Sequence, residues 1–494
     1  MDATAIALVV MPALAGALAF ALPTERPQRW LLLGTAAAHL ALVGVSIANP
    51  PAPSPADWLH ADSLGLLFLG ITSTLFFVAA VYAVGYLQRE VRAPRPDFVE
   101  GVLFSNQPER VFVGCMLFFL AAMSLVTVSQ HMGVLWVAIE ATTLASAPLI
   151  YFHRHHRSLE ATWKYLLLCS VGIAVALIGT FFLAVAASGI SSEGAPLLLS
   201  DLMAGGASLH GVWLKAAFLL LLVGYGTKMG LAPFHSWLPD AHSESPSLVS
   251  ALMSGALLNC AFLGILRAYQ VVAAAGEAPF ARELLIGFGL LSMAVAAVFI
   301  IGQSDYKRML AYSSVEHMGI LSLGVGIGGG AAFGAMFHAL NHSLTKGLLF
   351  LVAGNILAAF RTTSVRGIRG MLQLLPVSGP LWMAGLMAIT GMPPFGSFLS
   401  EFTILQAIFA QGYPLVAAAF LLLLAVIFIS MASIFLRMLM GDPWTQPVVV
   451  HKESLLAVAP AALLAATALL FGLYLPPAVD STLQAAAGLL GGAR

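Results

Sequence analysis

Charged side chains are scarce in this sequence of 494 residues, which has 9% charged residues against 60% hydrophobic ones. Soluble domains usually carry about a quarter charged residues, so a water-soluble globular fold is excluded. The 22 basic and 22 acidic residues leave no net charge, and this balance excludes the basic surface that binds nucleic acids. A mean hydropathy of +0.93 instead indicates a membrane protein.

Cysteine is nearly absent as well. Cys115, Cys169 and Cys260 lie far apart in apolar segments, and no CxxC or CxxxC spacing occurs. The absence of these motifs argues against an iron–sulfur or zinc site. No nucleotide-binding fingerprint is present either, so no cofactor is expected on this chain. Residues 1–22 lack a basic stretch and a convincing cleavage site. They are interpreted as the first membrane helix and not as a removed signal peptide.

Long apolar segments dominate what is present. A spanning helix needs about 20 mostly apolar residues. By that measure the sequence predicts an all-α polytopic membrane protein with about fourteen spanning helices. Their predicted ranges are 2–22, 30–48, 64–87, 109–129, 131–152, 163–188, 212–233, 247–272, 283–302, 309–327, 331–359, 375–410 (interrupted), 413–440 and 455–475.

The basic residues sort by loop. Most lie in or beside the odd-numbered loops, whereas Lys215, Arg267 and Arg282 belong to the even-numbered side. The odd-side residues include Arg26, Arg29, Arg92, Arg154, Arg157, Lys164, Lys307, Arg308, Arg366 and Lys452. The positive-inside rule therefore predicts cytoplasmic odd loops, with both termini on the periplasmic side of a bacterial inner membrane. The histidines and arginines of 153–157 are interpreted as part of a solvated cytoplasmic loop.

Two segments resemble each other. Gly230-Leu-Ala-Pro-Phe-His-Ser-Trp-Leu238 parallels Gly391-Met-Pro-Pro-Phe-Gly-Ser-Phe-Leu399, and each interrupts a long apolar segment with helix-breaking Gly and Pro. They fall in the seventh and twelfth predicted helices. Paired broken helices in two halves are typical of inverted-repeat transporters, in which irregular backbone lines a cavity or is buried in protein.

Two charged residues of the first half lie deep in apolar runs. A charge near the bilayer centre costs roughly 2.5–3.5 kcal/mol on insertion scales, so each indicates a function or a partner. Glu140 is predicted to pair with a lysine, the alternative being a structural, hydrogen-bonded glutamate. Lys228 precedes the first break, where its ammonium cannot easily reach water, and it is a candidate for loading and releasing a proton.

Three titratable residues of the eleventh helix recur every four positions. His338, His342 and Lys346 are thereby predicted to form one stripe, with about 40° between successive members. Histidine titrates near neutral pH and suits a proton relay. A metal site is the alternative explanation, but the neighbouring sequence offers no third ligand, so no metal site is predicted.

The remaining candidates are less specific. Glu316 and His317 are adjacent and point about 100° apart, so one is expected to face the relay and the other a neighbouring helix. Glu401 follows the second break, and it is interpreted either as a gate of the proton path or as a helix cap. Where the seventh helix resumes, three polar residues form either an entrance funnel or a loop that satisfies the broken backbone. They are Asp240, His242 and Glu244.

Several stretches resemble the antiporter-like subunits of respiratory complex I and of membrane-bound hydrogenases. The stretches are 135–140, 228–241, 305–313 and 337–346, and the resemblance covers nearly the whole chain. Ser314-Val-Glu-His-Met-Gly-Ile320 and His242-Ser-Glu-Ser-Pro-Ser247 resemble the F component of hydrogenase-4 more than the complex I subunits.

This resemblance implies fourteen helices, with helices 4–8 and 9–13 as inverted five-helix repeats. In this division helices 1–3 occupy residues 1–108, the first repeat occupies 109–273, the second repeat occupies 274–441, and helix 14 lies in 442–494. It also implies a Glu140–Lys228 pair, a central relay through His338, His342 and Lys346, and Glu401 as the distal gate. Ser254 stands where several complex I subunits have histidine, so the link from Lys228 to helix eleven is expected to use water, Ser250, Ser254 or another side chain.

The leading hypothesis is a proton-translocating, non-catalytic subunit of a redox-driven complex. Its expected partners are other membrane subunits, lipid and peripheral redox subunits on the cytoplasmic side, which would hold any iron–sulfur or NiFe centres. Two alternatives are a cation/proton antiporter subunit that works without electron transfer, and a structural membrane subunit without a working channel.

Overall fold

The structure is a computed structural model that describes residues 3–50, 58–90, 93–97, 101–190, 196–442 and 453–492. Arg92 and Lys452, two of the predicted odd-loop residues, lie outside the described residues. Within the described part the named elements are helices except for one short antiparallel strand pair, β1 (Arg95–Pro96) with β2 (Leu103–Phe104). The predicted all-α membrane fold is confirmed.

The helices follow one another with short connections. The first three are α1 (Ala3–Ala21), α2 (Glu25–Ala48) and α3 (Ser63–Arg89). The first half continues with α4 (Glu109–Val128), α5 (Met132–Ile150), α6 (His156–Ala186), α7 (Leu199–Ala204), α8 (Gly211–Met229), α9 (Leu238–Glu244), α10 (Ser247–Leu252) and α11 (Leu258–Ala274). The second half has α12 (Ala278–Ile300), α13 (Tyr306–Ile327), α14 (Gly330–Phe360), α15 (Met371–Leu374), α16 (Ser378–Ile389), α17 (Gly396–Ala410) and α18 (Pro414–Leu439), followed by α19 (Leu455–Leu473) and α20 (Pro477–Gly488).

Twelve described helices are long and apolar enough to cross a membrane, if Ser247–Ala274 is taken as one. The more polar α13 and the two-part segment α16–α17 complete the fourteen predicted spans. The sixth span begins at His156, earlier than the predicted residue 163. The reason is that its first turns carry polar residues, among them Glu160 and Lys164, which hydropathy alone does not count as membrane helix.

Both predicted breaks are present. Helix α8 ends where Gly230 adopts φ +83°, and the segment resumes as α9; α16 ends just before Gly391, with φ +62°, and resumes as α17. Positive φ values are accessible to glycine without the steric penalty that a Cβ brings. The peptide bonds before Pro233 and Pro394 are cis. Each break thus leaves backbone groups without helical partners inside the membrane region.

The centre of the molecule is built from helices that are buried on all sides. In the most apolar 18-residue stretch of Ser247–Ala274 every residue is buried, whereas in that of α18 only 22% of the residues are buried. Between α10 and α11 the helix widens into one π turn, Met253–Leu257, which contains Ser254. Such turns occur frequently at functional sites because they displace side chains and loosen the regular hydrogen bonding.

An ion pair ties the end of this central helix to α3. Arg267 of α11, which is 1% exposed, donates from Nη1 and Nη2 to the two oxygens of Asp62 at 2.6 Å each. Asp62 also caps α3 by accepting from the backbone N–H of Gly65 at 2.9 Å. The two-pronged geometry holds both helices in a fixed register.

Candidate ion-translocation site

Lys228 is completely buried in the last turn of α8, directly before the first break. Its Nζ donates to Thr143 Oγ1 at 2.8 Å and to the Tyr165 hydroxyl at 2.6 Å. Nζ also lies 4.5 Å from the centroid of the Tyr165 ring. The buried ammonium is therefore held by neutral hydroxyl groups and an aromatic face, which can stabilise a cation.

Glu140 lies half-buried on α5, one turn before Thr143. Its carboxylate accepts from Thr143 Oγ1 at 3.2 Å and from Ser170 Oγ at 2.8 Å. The expected direct Glu140–Lys228 pair is wrong in this respect: in the described part of the chain no ion pair within 4 Å joins them. Thr143 stands between the two charges and contacts both.

The hydroxyl of Tyr165 continues this first cluster. It lies 2.6 Å from Ser146 Oγ, which itself donates to the Thr142 carbonyl at 2.7 Å. Sequence reasoning missed Thr143, Tyr165 and Ser170, since hydroxyl residues are common in membrane helices. The one available signal was that Thr143 follows Glu140 by three residues and so shares its helix face.

Lys346 is the corresponding buried ammonium of the second half. Its Nζ donates to the Leu310 carbonyl at 2.6 Å and to Ser313 Oγ at 2.5 Å, both on α13. Glu316, 3% exposed on the same helix, is close enough to interact with the Lys346 charge. This lysine is therefore also held mainly by neutral oxygens, with a carboxyl group nearby.

A chain of hydrogen bonds runs sideways from α13 to α17. His317 Nδ1 lies 2.8 Å from His338 Nε2, and His338 Nδ1 lies 2.9 Å from Ser400 Oγ. The ring of His342 packs 4.9 Å from that of His317, and neither of its nitrogens has a hydrogen-bond partner among the described residues. The predicted stripe on α14 therefore exists, but its three members have different contacts.

Adjacent Glu316 and His317 both reach this relay. His317 bonds to His338, whereas Glu316 interacts with Lys346, two turns further along α14. The expectation that only one of them faces the relay is wrong. Two long side chains at adjacent positions can contact different turns of one neighbouring helix, which a helical wheel does not show.

Glu401 joins the same group from α17. One carboxylate oxygen and one nitrogen from each of His317 and His338 lie within 4.8 Å of one another. The carboxylate is 8% exposed and packs against Gly391 in the second break. Among the described residues it has neither a hydrogen-bond nor an ion-pair partner.

Ser254 belongs to the second half of the path. Its hydroxyl lies 2.8 Å from Ser314 Oγ, next to the Ser313 that accepts from Lys346. Ser250 instead bonds to Ser245 Oγ at 2.7 Å and to the His242 carbonyl at 2.9 Å. Within the described ranges, no side-chain hydrogen bond connects either serine to Lys228.

The polar residues at α9 divide into two kinds. Asp240 forms ion pairs with Lys164 at 2.9 Å and with Arg308 at 2.5 Å, at the edge of the protein. His242 is fully buried against the Phe350 ring, with no hydrogen-bond partner for its nitrogens in the described part.

Glu244 lies in a further charge network. It contacts Arg157 at 3.6 Å and His155 at 3.9 Å, and His155 also caps α6. The interpretation of residues 153–157 as a merely solvated loop is therefore wrong, because the fold brings α9 against this loop.

Lys307 was counted among the basic residues in or beside the cytoplasmic odd-numbered loops, but it is 1% exposed. Its Nζ donates to the carbonyls of Ser243 and Ser245 at 2.7 and 2.8 Å, where α9 ends. It thereby satisfies backbone groups that the interrupted helix leaves open. Glu244 is close enough to interact with this ammonium, so the end of α9 carries two opposite charges side by side.

Comparisons with known proteins agree with this geometry. The family model described as NADH:quinone oxidoreductase/Mrp antiporter, TM, matches residues 129–430. The hydrogenase-4 component F homolog of Methylacidiphilum infernorum is 35% identical over 84% of this chain and 85% of its own length. Hydrogenase-4 component B of Escherichia coli is 28% identical over 75% of this chain, which spans about half (54%) of that relative's length.

Among solved structures, a chain of the respiratory complex I of Thermus thermophilus with bound aureothin is similar. It is 27% identical with a TM-score of 0.75, and the match covers 97% of this chain and 99% of that one. The buried lysines, the paired broken helices and these similarities lead to one assignment. The chain belongs to the family of membrane subunits shared by NADH:quinone oxidoreductases and Mrp antiporters.

Proposed function

We propose that this chain is a proton-translocating subunit of a redox-driven membrane complex of the hydrogenase or complex I type. The observation that carries the proposal is the pair of buried ammonium groups, Lys228 and Lys346, each held by hydroxyl and carbonyl oxygens. Neutral partners solvate an ammonium without locking it as an ion pair does. Each lysine can therefore give up its proton without breaking a direct salt bridge.

Protons enter from the side of the protein that carries α9. Glu244 is half-buried on this side, and the buried Lys307 is within its electrostatic reach. His242 is within electrostatic reach of both Lys307 and Lys346. The order Glu244, Lys307, His242, Lys346 leads from the edge to the centre. From there the path continues through His342, His317 and His338 to Glu401. It uses residues that can each hold one proton.

The first cluster controls when the path loads. Glu140 is half-buried on the side wall of the chain, so a neighbouring membrane subunit can contact it directly. If such a subunit draws the Glu140 carboxylate away, Thr143 is left with Lys228 as its main partner. The ammonium then loses the stabilising negative charge and releases its proton toward the second half of the path.

The relatives suggest the setting. They include hydrogenase-4 components and a chain of complex I, so partner membrane subunits and peripheral cytoplasmic redox subunits are proposed for this chain too. Those subunits would carry the iron–sulfur or NiFe centres. The loop charges support cytoplasmic odd loops and periplasmic termini in a bacterial inner membrane.

The test is proton pumping by the assembled complex in sealed vesicles. Lys228→Ala and Glu140→Ala are expected to lower the number of protons moved per electron, while the complex still assembles. Lys215→Ala is the matched control, because that lysine is half-exposed and pairs with Glu277 at 3.0 Å. Unchanged proton-to-electron ratios in both variants would refute the proposal.

The family also contains Mrp antiporters, so a cation/proton antiporter subunit is the second candidate. A sodium-dependent pH gradient in vesicles without redox substrates would favour it. A purely structural role is the third candidate. For that role, pumping should be normal after Lys346, His338 and His342 are all neutralised.

A further inference from the structure

The group of His317, His338 and Glu401 brings together three helices that the sequence keeps apart. Two imidazole nitrogens and a carboxylate oxygen lie within 4.8 Å of one another, and all three residues are buried. In a tetrahedral site two zinc ligands are about 3.4 Å apart. A small rotation of the Glu401 side chain would therefore bring all three atoms to a common ion.

The hydrogen bonds fix which ring nitrogen is available. Ser400 gives its hydroxyl hydrogen to the Ser397 carbonyl at 2.8 Å, so it accepts from His338 Nδ1. His338 Nε2 consequently presents a lone pair toward His317. A histidine whose second nitrogen donates to a fixed acceptor is the usual arrangement of a metal ligand.

His317 completes the donor set after one proton shift. Its Nδ1 carries the hydrogen that is shared with His338 Nε2. Its Nε2 is buried and has no hydrogen-bond partner among the described residues. The hydrogen can therefore move from Nδ1 to Nε2, which leaves both facing lone pairs free for a cation.

The surrounding charges favour a cation. Glu401 is a buried carboxyl group without an ion-pair partner in the described part of the chain, and Glu316 is near enough to interact with it. Lys346 is the cationic group within electrostatic reach of His317. Two carboxylates against one ammonium leave one net negative charge, which offsets half of the charge of a divalent ion.

We propose that His317, His338 and Glu401 form a binding site for a divalent transition-metal ion of the Zn²⁺ type. Two imidazoles and one carboxylate with an open fourth position match Zn²⁺ and disfavour Mg²⁺ and Ca²⁺, which take oxygen ligands. Glu401 is 8% exposed and packs against Gly391 in the second break, so the ion enters the site from the side of this break. Bound Zn²⁺ replaces the proton shared by the two histidines and thereby stops transfer along this segment.

The test measures binding directly, without turnover, so its failure is distinct from failure of the proposed function. The full-length protein, in its complex if it is purified as one, is titrated with Zn²⁺ against a chromophoric chelator. The wild type is expected to bind about one ion per chain at this site. Single His317→Gln, His338→Gln and Glu401→Gln variants should bind at least about tenfold more weakly.

The matched control is His39→Gln. His39 is also fully buried, but its nitrogens contact Ser73 and Ser124 at 2.9 Å each, on other helices. Its replacement should leave Zn²⁺ binding unchanged. Equal Zn²⁺ affinity in the wild type and in a His317→Gln, Glu401→Gln double variant would overturn the site.

A variant that gains a signal tests the site even if the glutamine variants fail to fold. His317→Cys retains a ligand atom, so Co²⁺ bound there should show a thiolate-to-metal charge-transfer band that the wild type lacks. Absence of that band in Co²⁺-loaded protein would also overturn the site. In the wild type, Zn²⁺ should slow proton uptake over the concentration range in which it binds; binding without slowing would overturn the blocking role.

Discussion

The two broken helices share a backbone design but differ in how they hold an acidic side chain. Asp240 follows Gly230 by ten residues, and Glu401 follows Gly391 by the same distance. Asp240 is clamped between Lys164 and Arg308, whereas Glu401 has no ion-pair partner in the described part of the chain. The same scaffold thus anchors its acid in one half, and in the proposed path it leaves its acid free to exchange a proton in the other.

The lysines show the opposite distribution. Lys228 precedes the first break, and the equivalent position before the second break is the apolar Ile389. The second half supplies its ammonium from α14 instead, as Lys346. A proton that moves from Lys228 to Glu401 therefore passes from a base beside one break to an acid beside the other.

The largest expected contrast is between the two acids. Glu401→Gln removes a proton-carrying group and should reduce the initial rate of proton uptake by about tenfold or more. Asp240→Asn should change that rate by less than about fivefold, because ion pairs at an exposed edge contribute roughly 0–1 kcal/mol. Dye-reported proton uptake by vesicles with the assembled complex provides the measurement. An equal loss in both variants would remove the functional distinction.

The next contrast concerns the glycines of the breaks. Gly230→Ala and Gly391→Ala both place a Cβ at positive φ, which costs about 1–2 kcal/mol, so both should lower the melting temperature. Only Gly391→Ala should also impair proton uptake. Its Cβ would meet the Glu401 carboxylate, whereas that of Gly230 would meet the flexible end of Leu238. Impaired uptake in Gly230→Ala alone would contradict this.

A smaller effect is expected from the hydroxyls around the two centres. Tyr165→Phe leaves Lys228 with Thr143 as its remaining hydrogen-bond acceptor and should lower the rate about three- to tenfold. Ser400→Ala frees His338 Nδ1 and should have an effect of similar size. Thr467→Ala, on the exposed face of α19, is the control. If both core variants match it, neither hydroxyl takes part in transport.

The smallest predicted effect is on stability. Burial opposes ionisation of Asp62, but the charge and hydrogen bonds of Arg267 outweigh it, so the pKa of Asp62 lies below its usual value of 3.8. This ion pair therefore stabilises the fold above that value and is lost as the pH falls below it.

The measurement for Asp62 is the melting temperature at several pH values. Wild-type stability should decrease on acidification, and Asp62→Asn, which leaves the buried Arg267 guanidinium without its carboxylate, should show a shallower decrease. Parallel pH profiles for the two proteins would show that Asp62 is not responsible. Unlike Glu401→Gln, this variant should retain its proton uptake at neutral pH.

Much of the fold could be predicted because hydropathy and helix breakers are local properties. The fourteen spans, both breaks and the stripe of His338, His342 and Lys346 follow from runs, glycines and four-residue spacing. Contacts between helices cannot be predicted from these local patterns. Thr143 between Glu140 and Lys228 depends on the angle at which α5 meets α8, and this angle is not written in either segment.

The clearest failures concern residues whose partners are distant in the sequence. Lys307 has the position of a surface anchor, yet α9 folds over it and its ammonium caps two carbonyls. The proposed metal site also depends on distant residues, because His317 and Glu401 come from α13 and α17. Both cases arise from tertiary packing of the broken segments, which spacing along the chain does not encode.

The π turn at Met253–Leu257 has a consequence for sequence length. One wide turn is equivalent to one inserted residue in an otherwise regular helix. Deleting a single residue there would restore regular α-helical bonding and keep α11 in nearly its present orientation relative to α10. Arg267 would still face Asp62, and Asn259 would still reach Ser343. A one-residue deletion in the regular part of α11 before Arg267 would instead rotate that residue by about 100°, so it is expected to be more damaging than a deletion in the π turn.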